Sequence, residues 1–203
     1  MITLKTFGDH MGMAEELSEM DGCRSFLALS PAAQLQAVVT STISHILKKL
    51  NKGCIYISLN KPVEVVEELF KAKGIPLEKV FIIDCATGRI ARTAKKRNIT
   101  YVSRPYNLTD INIRIAQFAK VLKNNGFVLV DSLDILRLYT KPEIMLQFIH
   151  SLVSLPVRYG LQLVVFGTTE TFRTEMGNFA QYFDRVSQVS SVELRKSRPV
   201  KIA

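Results

Sequence analysis

FLALSPAAQLQAVV, residues 26–39, sets the reading of the whole chain. Its first residues, with Ser25 to Leu29, form a short apolar run that suits a buried strand. Ser30-Pro31 makes a tight turn, because proline fixes its own φ and offers no N–H. Beyond it Leu35, Val39, Ile43, Ile46, Leu47 and Leu50 recur at helical spacing, so one face of a helix is apolar. Lys48, Lys49 and Lys52 crowd the end of that helix, where cations suit the dipole, and Gly53 is expected to stop it.

The same order of strand, turn and helix recurs along the chain. Cys54 to Leu59 is a second strand, with Asn60 as expected N-cap and Pro62 near the first turn of a helix running to Gly74. Val80 to Ile83 is a third strand ending on Asp84, followed by a polar, basic connector over 88–104. A helix over 109–124 carries Ile111, Ile115, Phe118, Ala119 and Leu122 on one side, with Asn125-Gly126 as its expected cap. Phe127 to Val130 is a fourth strand ending on Asp131. The next helix starts near Pro142, and Pro156 is expected to end or bend it. Leu161 to Phe166 is a fifth strand, 171–183 a further helix, and Arg185 to Val189 a sixth strand.

Strands that are apolar throughout, separated by helices, imply a parallel sheet covered on both faces. Right-handed crossovers then give a three-layer, doubly wound, mostly parallel α/β fold. No repeat or linker divides the 203 residues, so one domain is expected. Its core would span about 25–190, between an acidic N-terminal segment, 1–24, and a basic C-terminal one, 191–203. The composition, 47% hydrophobic and 22% charged, supports a packed core. No apolar run reaches the length of a membrane span, and MITLKTFGDHMG lacks the layout of a secretory signal, so a cytoplasmic protein without membrane contact is expected.

Cys23, Cys54 and Cys85 are too far apart for a CxxC pair, and His10, His45 and His150 show no ligand spacing, so no metal is expected. Ser30, Ser58 and Ser132 lack the setting of a hydrolase nucleophile.

In such a sheet ligands gather where the strands exit. The exits read Ser30-Pro31-Ala32-Ala33, Asn60-Lys61, Asp84, Asp131-Ser132 and Gly167-Thr168-Thr169-Glu170. Here GFVLVDSLDIL, residues 126–136, resembles the Walker B strand of RecA/KaiC-like ATPases, especially their archaeal branch. Arg104-Pro105-Tyr106-Asn107-Leu108-Thr109 resembles the segment opening the preceding helix in that branch. Phe148-Ile149-His150-Ser151-Leu152, Arg158-Tyr159-Gly160 and Phe183-Asp184-Arg185-Val186 resemble later pieces. The likeness covers roughly residues 25–195 and implies a RecA-like P-loop NTPase core.

The departures fall on the chemistry. Walker A, GxxxxGK(S/T), wraps phosphate in bare backbone, anchors it with lysine and holds Mg²⁺ with a hydroxyl. Residues 30–37 contain no glycine, lysine or threonine. The resemblance also implies paired glutamates after the second strand, one activating water, where this chain has Asn60-Lys61. Asp131 and Ser132 remain at the Walker B position. Asp131 and Asp84 are equally suited to capping a turn. Phosphoryl transfer depends on positioning and charge neutralisation, so these losses together predict no significant ATPase activity and no cofactor.

Lys and Arg number 27 against 18 acidic residues, a formal net charge of +9. Arg89, Arg92, Lys95, Lys96, Arg97 and Arg104 concentrate that charge in the connector, which carries no acidic residue. The cluster suits nucleic-acid phosphates or an acidic partner, and equally suits a solvated loop. The sequence thus leaves three readings. The first is a non-catalytic domain serving as a regulatory or structural subunit through protein contact or self-association. The second is a nucleic-acid-binding protein using the 88–104 loop, and the last an atypical nucleotide-binding ATPase.

Overall fold

The computed structural model describes residues 23–87, 97–102, 107–122, 125–173 and 177–188. Seven strands form one sheet: β1 (Ser25–Ser30), β2 (Gly53–Ser58), β3 (Val80–Asp84), β4 (Ile99–Tyr101), β5 (Gly126–Val130), β6 (Gln162–Thr168) and β7 (Arg185–Gln188). Their spatial order is β4-β3-β2-β5-β6-β1-β7, and every pairing is parallel. Four longer helices connect them: α1 (Ala32–Lys48), α2 (Val63–Ala72), α3 (Leu108–Leu122) and α4 (Pro142–Tyr159).

The crossovers explain the layers. From β1 through β4 the connections run towards one end of the sheet, and α1 and α2 lie on one face. There Val38, Ile43, Ile46, Val66 and Phe70 pack on Phe26, Tyr56, Leu129 and Phe166. α3 and α4 carry the chain back across the other face, with Ile111, Ile115, Phe148, Ile149 and Leu152 packed on Leu27, Ile55, Val128 and Val165. Alternate strand residues serve opposite cores, which is why the strands are apolar throughout. The three-layer, doubly wound α/β architecture is the expected one.

Several local expectations change. β4 is a seventh strand inside the basic connector, held to β3 by Ile82↔Ile99 and Asp84↔Tyr101 pairing. Gly53 does not stop α1; it is the first residue of β2, and Asn51 supplies the left-handed turn at φ 52. Gly126 likewise belongs to β5 rather than to a cap. Gly53 and Gly126 sit side by side across β2 and β5 with Leu122 over both. Pro156 does not end α4, which runs on to Tyr159. The proline ring is buried beside Leu152 and Leu155, and the helix closes at Gly160, φ 62. The helix expected over 171–183 is replaced by one turn at Thr169–Thr171, capped by Thr168, and a 3-10 segment at Gly177–Tyr182. Among the described residues, no helix is long and apolar enough to cross a membrane.

Candidate functional site at the carboxyl edge

β2 and β5 are neighbours whose onward connections run in opposite directions, so their exits mark the topological switch point of the sheet. The structure brings Asp131 and Ser132, leaving β5, against Leu59, Asn60 and Lys61, leaving β2. Asp131 is only 5% exposed. Its Oδ1 accepts the Leu59 N–H at 2.9 Å, and its Oδ2 accepts the Tyr56 hydroxyl at 3.3 Å, with the Ser58 hydroxyl 3.5 Å away. Burial pushes the carboxyl up to about 6; the Leu59 amide, the Lys61 charge, the Asn60 amide and the Tyr56 hydroxyl pull the other way without cancelling it. Burial and the Asp131 charge raise the Tyr56 phenol well above its ordinary range, so it stays a neutral donor.

Ser132 turns away from Asp131. Its hydroxyl donates to Asp134 Oδ2 at 2.6 Å, and Asp134 also accepts the Thr168 N–H at 3.0 Å and the Thr168 hydroxyl at 2.9 Å. The β5 exit is thereby tied to the end of β6. The sequence reading named Thr168 only as part of a strand exit and missed Asp134 and Tyr56, because their roles depend on strand adjacency. The apolar-to-polar step at Gly167-Thr168 was the available signal.

Asp84 is fully buried and accepts the Val63 N–H at 2.8 Å, the Ala86 and Thr87 N–H groups at 2.8 and 2.9 Å, and the Thr87 hydroxyl. It therefore fills the capping role expected of Asn60. Asn60 itself is exposed, and Pro62 occupies the N-cap position of α2 without a side-chain bond. Ser58 donates to the Lys61 carbonyl at 2.7 Å and closes that turn.

At β1 a single residue, Pro31, separates the strand from α1. The Gln34 and Leu35 amides bond to the Pro31 carbonyl within the first turn. Ala32 and Ala33 present methyl groups to solvent at the helix start.

The remaining sequence candidates lie elsewhere. Of the basic cluster, Arg97 is exposed where the chain enters β4, at the opposite edge of the sheet. Arg89, Arg92, Lys95, Lys96 and Arg104 lie outside the described residues, as do His10, the rest of 1–22 and the C-terminal segment 191–203. His150 stacks edge-on against Tyr182 at 4.4 Å between ring centres. Cys54 and Cys85 are buried thiols whose ionisation burial pushes far up, which makes them inert. Asp184 accepts the Arg24 and Ser25 N–H groups at 3.0 and 2.8 Å and the Ser25 hydroxyl at 2.9 Å. Burial acts to raise its carboxyl, but those donors prevail and lower it. Among the described residues, no three His, Cys, Asp or Glu side chains are grouped to hold a metal.

A KaiC-like protein from the hyperthermophilic archaeon Pyrococcus horikoshii OT3 matches 87% of this chain and 75% of its own, with a TM-score of 0.60 and 11% identity. The chain has a KaiC-like fold. Solved structures match it broadly, 191 chains in all, so the KaiC-like architecture fixes topology and leaves activity to be argued from the site. No family model and no curated protein matches the sequence.

Proposed function

We propose that this chain is a non-catalytic KaiC-like domain, a regulatory or structural subunit that works through protein contact. The observation that carries this is Asp131. At the position where a KaiC-like ATPase would hold Mg²⁺, the carboxylate is withdrawn from solvent and bonded by the Leu59 amide and the Tyr56 hydroxyl. Mg²⁺ keeps much of its water and requires an open octahedral shell, so binding there would require breaking those bonds. The one-residue β1–α1 link and the Asn60-Lys61 pair remove the phosphate cradle and the water-activating acid from the same edge.

Protein contact is the alternative use of such a scaffold. A groove of about 300 Å³ lies between the start of α4, at Pro142, Glu143 and Leu146, and Phe179, Gln181 and Tyr182. Leu138 and Tyr139, 64% and 61% exposed, precede it in the chain, and Ile144 is half exposed beside it. Apolar side chains gathered at a concave surface favour a protein partner or a second copy.

The decisive experiment is thermal unfolding with and without Mg-ATP, paired with a phosphate-release assay. A ligand at one hundred times its Kd adds about 2.7 kcal/mol, worth roughly 5–10 °C at this chain length. The expected shift is none and the expected turnover is none. Turnover that disappears in Asp131→Ala while the fold survives would overturn the reading.

A further inference from the structure

Basic side chains collect where the strands begin. α1 ends at Lys48-Lys49 and α2 ends among Lys71 and Lys73, both on the approach to the next strand. Close contacts join these ends. Lys48 Nζ lies 3.8 Å from where a Cβ on Gly74 would stand. Lys79 Nζ donates to Asn51 Oδ1 at 2.8 Å. The Asn98 side-chain amide donates to the Leu77 and Val80 carbonyls, each at 2.9 Å, which ties the chain next to Arg97 to the turn that carries Lys79. All six cations are exposed. The described residues of these strand approaches carry one acidic side chain, Glu78.

Helix dipoles explain part of the pattern, since lysines suit the last turn. They do not explain Lys79 and Arg97, which sit on strand approaches. Nor do the helix ends spoil the face for anions: each carries about half a negative charge, against six whole positive ones.

We propose that Lys48, Lys49, Lys71, Lys73, Lys79 and Arg97 form a binding face for the phosphate backbone of duplex nucleic acid. The duplex is favoured over a single strand because the face offers charge without an exposed aromatic platform among the described residues, Tyr101 being half-buried against the core. Ammonium groups acting as point charges read phosphate spacing and not base identity, so binding is independent of sequence and steeply dependent on salt. The face lies at the opposite edge from Asp131, and the inference stands whether or not the chain hydrolyses ATP.

The test is fluorescence anisotropy of the full chain with a labelled duplex of about 20 base pairs at roughly 50 and 200 mM salt. Binding at low salt should fall by roughly 10²–10³-fold at high salt, as expected for about five phosphate contacts. Lys73→Glu with Lys79→Glu should weaken low-salt binding by roughly 30-fold or more. A control carrying Lys141→Glu, Gln36→Glu and Gln147→Glu loses the same net charge at exposed sites towards the carboxyl edge, and should weaken it less than about 5-fold. Circular dichroism checks that both variants fold. Equal losses in the two variants, tighter binding to the matching single strand, or no duplex binding at low salt would each overturn the proposal. So would binding to polyglutamate alone, which would assign the face to an acidic protein.

Discussion

At the carboxyl edge of the sheet Asp84, Asp131 and Asp134 each accept bonds from two or more neighbours. At the amino edge Lys48, Lys49, Lys73 and Arg97 stand in solvent. The edges differ in what their charge does. A carboxylate that collects backbone N–H groups ties strand exits together and is no longer free for a ligand. An exposed ammonium contributes little to stability and remains available to a partner. Asp184 is the exception that supports the rule: it sits at the amino edge, yet it too is an internal tie, joining the entry of β7 to that of β1. Asp84, Asp131, Asp134 and Asp184 tie the strands of this fold together, and Lys48, Lys49, Lys73 and Arg97 face outward.

The largest expected effect tests the carboxyl edge. Asp84→Ala strands the Val63, Ala86 and Thr87 amides in a buried site. Leaving such donors unsatisfied should cost about 3–5 kcal/mol, read as a fall in the urea midpoint. Asp84→Asn keeps one acceptor and should cost less. A loss below about 1 kcal/mol would mean that water reaches this edge, and the contrast between the edges would fail.

Asp131 sharpens the contrast through pH. Its carboxyl titrates near 6 in the fold, against an ordinary 3.8. A pKa raised by folding contributes stability that is full below the unfolded value and is lost as pH rises through the folded one. Wild type should therefore gain about 2.5 kcal/mol relative to Asp131→Asn between about pH 7.5 and about pH 4. The Asp184 carboxyl, lowered in the fold, works in the opposite sense, but it is present in both proteins and drops out of the difference. The measurement is a pair of urea midpoints at each pH. A gap that does not change with pH would mark Asp131 as a solvated carboxylate, open to a metal after all.

How much of this could be read from residue order follows the same physics. Five strands were legible because each is apolar over four or more residues and almost wholly buried, as in Phe127 to Val130; β7, half-buried and with Val186 as its one large apolar residue, was legible only from its place at the end of the pattern. β4 was hidden because it is three residues long, half-buried and flanked by arginine and lysine. The Walker B likeness singled out Asp131, and strand order puts that residue at the switch point. What residue order could not supply was the partner set. Leu59, Tyr56 and Ser58 are more than seventy residues away, and only the β2–β5 pairing brings them within reach. Asn60 looked like a cap because Asn precedes Pro62, but a neighbouring strand delivers Asp84 to that amide first. The amino-edge face was equally hidden, since its cations come from four separate stretches of chain.

A smaller effect probes what carries the amino edge beneath its lysines. A Cβ on Gly53 would come within 2.4 Å of Leu122 Cδ2, and one on Gly126 within 2.7 Å of Leu122 Cδ1 and 2.9 Å of the Gly53 carbonyl. A side-chain tip can swing away, whereas a carbonyl in the β2–β5 ladder cannot move without disturbing the pairing. Gly126→Ala should thus cost about 2–3 kcal/mol and Gly53→Ala about 1 kcal/mol. Leu122→Ala should offset most of the Gly53→Ala loss and little of the Gly126→Ala loss, which a double-mutant cycle on urea midpoints reads directly. If Leu122→Ala rescued both glycine variants equally, the clash would be with the side chain alone. The amino edge would then be held by α3 packing rather than by close approach of the two strands.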